Sequence, residues 1–130
     1  MRYPIILHTD DNQQFGVTVP DLPGCFSQGD SIENAVENTQ EAILFHAEGL
    51  VSGKQMVPLP SEIDISDFHQ NEGTALLAYA DVDIESILGP AKRINITIKS
   101  ANLQIIDIRA KARGMNRSEY LAYAGTHFEN

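Results

Sequence analysis

A chain of 130 residues and 14.3 kDa has room for one ordinary domain, or for a small domain with a smaller module attached. A hydrophobic fraction of 42% with 21% charged residues can bury a core and excludes a disordered chain. A lone cysteine, Cys25, excludes an intramolecular disulfide framework and suits a reducing cytosol, where the protein is expected to reside. The net charge of −9 conceals a division. Residues 1–89 carry two basic groups against fifteen carboxylates, a balance of −13. Residues 90–130 carry seven against three, a balance of +4. Such asymmetry implies two different partners, a basic protein for the acidic end and a polyanion for the basic end.

In chain order, Arg2 to His8 reads as a strand. Its three aliphatic residues, Ile5, Ile6 and Leu7, are too few for the apolar core of a signal peptide, and no later run is long enough for a membrane span. Asp10, Asp11 and Asn12 mark a turn. Phe15 to Val19 alternates like a half-buried strand, Pro20 to Gly24 breaks it, and Cys25 to Gln28 returns as a third. A helix opens at Gly29-Asp30-Ser31. Asp30 has Glu33 at capping-box spacing, and Ser31 is an equally good cap residue. Ile32, Ala35, Val36, Thr39, Ile43, His46 and Leu50 form its apolar stripe, with Glu33, Glu37, Glu41 and Glu48 outside it, and an end is expected near Ser52-Gly53. Pro58 and Pro60 start an irregular stretch. One helical turn is expected at residues 67–71 and a fourth, mostly buried strand from Thr74 to Val82. The order β-β-β-α-β implies an α+β sandwich with the helix across a small sheet.

Gly89-Pro90 is the expected hinge, dividing the chain into residues 1–88 and 89–130. Arg93 to Lys99 alternates strictly, with Ile94, Ile96 and Ile98 on one face and Arg93, Asn95, Thr97 and Lys99 on the other. A helix is expected from Ala101 to Arg113, with Leu103, Ile106 and Ala110 inward and Gly114 as terminator. Asn116 and Glu119 have capping-box spacing for a second helix, which carries Leu121, Ala124 and Phe128 inward. About forty residues without metal or disulfide rarely supply enough core alone, and the strand has no second strand beside it in sequence. Two copies remove both difficulties. Their strands pair antiparallel, the isoleucines Ile94, Ile96 and Ile98 form a dimer core, and the polar face is displayed twice about a two-fold axis. A two-stranded ribbon of this kind fits the DNA major groove.

The stretch Arg93-Ile94-Asn95-Ile96-Thr97-Ile98, followed by Ile106-Asp107 and by Gly114-Met115-Asn116-Arg117-Ser118-Glu119-Tyr120, resembles the ribbon-helix-helix repressors. That resemblance implies base reading by Arg93, Asn95 and Thr97. It also implies phosphate contacts from Asn116, Arg117 and Ser118 at a helix N-terminus, with Lys99 as a further phosphate contact. Phe15-Gly16-Val17-Thr18-Val19-Pro20-Asp21-Leu22-Pro23-Gly24-Cys25-Phe26-Ser27-Gln28-Gly29-Asp30-Ser31-Ile32-Glu33-Asn34-Ala35, followed by Glu41-Ala42-Ile43, resembles the HicB antitoxin family over roughly residues 1–85. The resemblance implies a fold similar to a truncated ribonuclease H core without its catalytic groups. It implies a small basic mRNA-cleaving toxin of the HicA type as partner, and repression of the chain's own operon by operator binding. Many family members carry a helix-turn-helix at the C-terminus, whereas this chain has the ribbon pattern. The implied assembly is a homodimer through residues 89–130, with a tetramer also open to it.

The toxin contacts are expected among Asp10, Asp11, Asp21, Glu33, Glu37, Glu41 and Glu48. No catalytic residue, metal or cofactor is expected. The competing reading is a degraded, metal-dependent ribonuclease H-like nuclease with a nucleic-acid-binding tail. Against it, Asp10, Asp11, Asp21 and Asp30 all fall in turns or caps, where aspartate is common for local reasons. His8, His46, His69 and His127 show no zinc-ligand spacing with one another or with Cys25, which reads as a buried structural thiol.

Overall fold

The computed structural model describes residues 1–64 and 74–128, so the helical turn expected at residues 67–71 and the side chain of His69 lie outside the described residues. The chain forms two compact units, Met1–Pro90 and Ala91–Asn130. The first contains β1 (Arg2–Thr9), β2 (Phe15–Thr18), β3 (Phe26–Gly29), α1 (Ile32–Ser52), β4 (Thr74–Asp81) and α2 (Ile84–Leu88). It is a mixed α/β unit whose four strands form one antiparallel sheet in the order β3-β2-β1-β4.

The central strand β1 is buried on both faces, which explains its unbroken aliphatic run. Ile6 lies opposite Thr18 of β2 and Leu77 of β4. Pro4 cannot donate to a ladder, and the pairing with β2 reaches only as far as Ile6, so the proline sits where β1 has β4 alone beside it. Tyr3, Ile5 and Leu7 join Phe15 and Val17 of β2 and Ala35, Ile43 and Ala47 of α1 in the core. Each large aliphatic side chain fully buried here contributes roughly 1.5–3 kcal/mol. Gly29 is required where α1 begins, because a Cβ on it would collide with the backbone of Asn34 and Ala35. Tyr3 Oη donates to the Pro58 carbonyl at 2.6 Å and anchors the irregular stretch after α1 to the sheet.

The helix cap is Ser31, whose Oγ accepts from the Asn34 N–H at 3.0 Å; Asp30 instead donates its own N–H to Asn34 Oδ1. Ile32 lies half outside the stripe assigned to it, and β4 is only partly buried, since it forms a sheet edge with Leu76 and Tyr79 exposed. The short helix α2 is not among the elements expected from the sequence. Its only signal is Asp83, which caps Ser86 N–H, with Gly89 at φ 85° closing it.

In the second unit, α3 (Ser100–Ala112) and α4 (Arg117–His127) pack on each other. Gly114 takes the left-handed conformation at φ 68° and Met115 N–H reaches Ala110 O, so the turn closes as its glycine requires. The capping box on α4 is complete: Asn116 Oδ1 accepts from Glu119 N–H at 2.9 Å, and Glu119 Oε1 accepts from Asn116 N–H at 3.2 Å. Residues 91–99 form no ladder within the described chain. Phe128, expected inward, is exposed because α4 ends at His127 and Phe128 is already extended.

Candidate functional site

Two surfaces carry the chemistry expected from the sequence. On the acidic unit, Glu33, Glu37, Glu41 and Glu48 are all exposed. At about 100° per residue they share an arc of about 80° on the solvent side of α1. Phe45, also exposed, adjoins that arc; a large aromatic there escapes a sequence reading that follows the buried stripe. Asp10 is exposed in the turn after β1. Asp11 is exposed too, and its Oδ1 accepts from Gln13 N–H (2.9 Å) and Gln14 N–H (3.0 Å), which holds its carboxyl below the ordinary aspartate value. Asp21 is committed within its own unit, where it accepts from Ser61 Oγ at 2.5 Å and from Ser61 N–H at 3.0 Å. Its charge, after burial as the larger cause, raises the pKa of Tyr3. Cys25 is buried and its thiol is pushed up by that burial. Among the described residues, no three of His, Cys, Asp and Glu cluster as metal ligands.

On the basic unit, Arg93, Asn95, Thr97 and Lys99 are exposed along the arm before α3. Ile94 and Ile96 are exposed as well, at 75% and 58%, and Ile98 is half-buried. The arm borders an open cleft whose other wall includes Leu103, Leu121, Arg117 and Ser118. The three isoleucines and two of the residues assigned to phosphate therefore share one cleft. Asn116 has both its N–H and its side-chain oxygen committed to the capping box. Arg117 is engaged across the turn: its Nε and Nη2 donate to the two carboxylate oxygens of Asp107, each at 2.9 Å. This fork holds the Asp107 carboxyl below its ordinary value. The pairing is absent from the sequence reading, although the turn at Gly114 between α3 and α4 brings these opposite charges, ten positions apart, together. The N-terminal turn of α4 retains the backbone N–H groups of Arg117 and Ser118, which a helix cannot satisfy internally, and the partial positive charge of its dipole.

Comparison with known proteins adds four findings. The family model described as the HicB_like antitoxin of bacterial toxin-antitoxin system matches residues 3–125. A protein of Haemophilus phage HP1, the uncharacterized 14.9 kDa protein in the rep-hol intergenic region, is 35% identical over 129 residues, or 98% of this chain and 96% of its own. Among solved structures, the Burkholderia pseudomallei antitoxin HicB is 34% identical at a TM-score of 0.60, covering 100% of this chain and 99% of that one. A chain of the HicA3 and HicB3 toxin-antitoxin complex is 26% identical at a TM-score of 0.51, covering 64% of this chain and 99% of its own.

Proposed function

The chain belongs to the HicB-like antitoxins of bacterial toxin-antitoxin systems, and from that membership we propose that it neutralises a small basic RNA-cleaving toxin through residues 1–88 and represses its own operon through residues 89–130. The observation that carries the reading is the division of charge, −13 against +4, between two units that each fold as a compact body. A toxin that cuts RNA presents a positive surface to phosphates. An acidic protein occupies that surface and blocks the substrate by exclusion, with no chemistry of its own. The exposed glutamates of α1 are better placed for this than Asp21, which ties Ser61. The HicA3 and HicB3 complex is a precedent for such a partner.

The DNA-binding part of the proposal rests on the arm. Two copies pairing residues 93–99 antiparallel turn Ile94, Ile96 and Ile98 into a shared core and leave Arg93, Asn95 and Thr97 to read bases, as in a ribbon-helix-helix repressor. The first turn of α4, with Ser118 and its N–H groups, then meets a phosphate. The N-terminal unit is read as a truncated ribonuclease H-like core that has become a binding domain.

The test mixes the full chain with the product of the neighbouring small basic reading frame. A stable complex by gel filtration, with RNA cleavage abolished at stoichiometric ratio, is the expected result. Full cleavage at excess antitoxin removes the toxin-binding half of the reading. For the other half, Asn95→Ala and Thr97→Ala should each lower discrimination on the operator by roughly 1–3 kcal/mol. Operator binding like that of the unaltered chain would show that neither residue reads a base.

A further inference from the structure

Phe45 is 80% exposed, the highest figure among the large apolar side chains of the described residues. It stands well inside α1, on the side turned away from Ala35, Thr39, Ile43 and Ala47. A lone exposed aromatic is ordinary on a protein surface, but the residue one turn further on gives this one a context. Gly49 adjoins Phe45 on the helix surface, four positions along. A glycine within a helix weakens it relative to alanine. The fold of the chain does not require this one. Gly49 is not among the residues of positive φ, and a Cβ built on it meets nothing within 4 Å. The Phe45 ring therefore does not fold down onto it. An apolar ring projects beside bare backbone, and a second chain has room to approach both.

Charge decides which chain. Glu41 precedes Phe45 by one turn and Glu48 follows it by nearly one, both exposed, and no lysine or arginine lies anywhere on α1 to offset them. A phosphate backbone is repelled here. A second copy docked through the same face brings its own Glu41 and Glu48, again with no cation on the helix to answer them. A partner with an apolar recess rimmed by cations meets both features. Of the partners proposed above, the small basic toxin fits that description, so this inference rests on the toxin-binding reading.

We propose that Phe45 is the apolar anchor of the toxin contact. Its ring enters a recess of the toxin, the toxin's chain closes over Gly49, and Glu41 and Glu48 meet cations at the rim. The groups then have separate duties: the carboxylates speed encounter, and the desolvated ring holds the complex once formed.

The test measures binding of the full chain to the product of the neighbouring small basic reading frame, by surface plasmon resonance over a range of salt concentrations. Phe45→Ala should raise the dissociation rate about tenfold or more. It should leave the association rate, its salt dependence and the urea midpoint of the acidic unit as they were. Glu41→Gln/Glu48→Gln should do the reverse, lowering the association rate and flattening its salt dependence. Gly49→Ala should raise the urea midpoint, because alanine favours the helix, and yet make the complex dissociate faster. A purely structural role for Gly49 would not give effects of opposite sign. An unchanged dissociation rate in Phe45→Ala or in Gly49→Ala overturns the anchor and leaves the toxin-binding reading standing. If the unaltered chain does not bind that protein at all, the reading and the anchor fall together.

Discussion

The acidic unit gathers fifteen hydrophobic residues into one core, with Tyr3, Ile5, Ile43 and Ile84 fully buried. The basic unit, among the described residues, fully buries Ala110 as its one hydrophobic side chain and leaves Ile94, Ile96, Ile105 and Ile108 in solvent. Its helices are nonetheless well specified, by a capping box and by a left-handed Gly114. Local devices of that kind are worth about 1 kcal/mol each. Ordering a residue costs about 1–2 kcal/mol of backbone entropy, so caps alone cannot hold some forty residues in place. The contrast teaches that a sequence can specify elements locally without burying enough apolar surface to hold them together.

The strongest way to break this comparison is Ile96→Asp. A charge in the shared core of a ribbon dimer has no partner and is several kcal/mol unfavourable. Dimerisation through the arm should vanish at micromolar concentration while the melting transition of the acidic unit stays where it was. A joint shift of both transitions would mean that the units are not independent. Next in size is Ile43→Ala, which empties part of a complete core and should cost the acidic unit about 2–5 kcal/mol by urea unfolding, independent of protein concentration. Gly29→Ala should follow, at roughly 1–3 kcal/mol for a methyl forced against the start of α1. Asn116→Ala sharpens the picture of the basic unit. Loss of the cap should cost about 1 kcal/mol, read as reduced helicity that rising protein concentration restores.

The smallest effect belongs to the Arg117–Asp107 fork. The sequence assigns Arg117 to a DNA phosphate, and a full phosphate contact adds about 0.9 to the salt slope of binding. Because the guanidinium is already held by Asp107, Arg117→Met is expected to flatten that slope by less. The fork also has a pH signature. The Asp107 carboxyl is depressed in the folded chain, so its contribution is complete above the unfolded aspartate value of about 3.9 and is lost as pH falls through the depressed folded value. Asp107→Asn should therefore matter at neutral pH and make no difference in strong acid, as measured by urea midpoints across that range.

The elements most legible in the sequence are those whose signals are local. The alternation of Phe15 to Thr18, the spacing of Ala35, Thr39 and Ile43, and the Asn116–Glu119 box each name a structure that the chain adopts. What is not legible depends on neighbours distant in sequence. Leu76 and Tyr79 look like core residues until β4 proves to be an edge. Asp21 looks like any exposed acid until Ser61 arrives beside it from forty residues away. Arg117 looks like a free cation until the turn at Gly114 folds it back on Asp107. Ile105 and Ile108 of α3 are exposed although apolar, and a periodicity that leads to the one face holding Leu103, Ile106 and Ala110 passes over them.

The position of the single thiol has an experimental consequence. Cys25 lies in the core of the acidic unit, and burial raises its pKa, so both access and thiolate fraction protect it from alkylating reagents. Labelling can proceed only when that unit opens, and the basic unit contains no cysteine to contribute. The chain thus carries an internal clock for one of its halves alone. The alkylation rate, followed by mass spectrometry with and without the proposed toxin, tests whether that protein suppresses opening of the acidic unit, and events at the basic unit do not contribute to it.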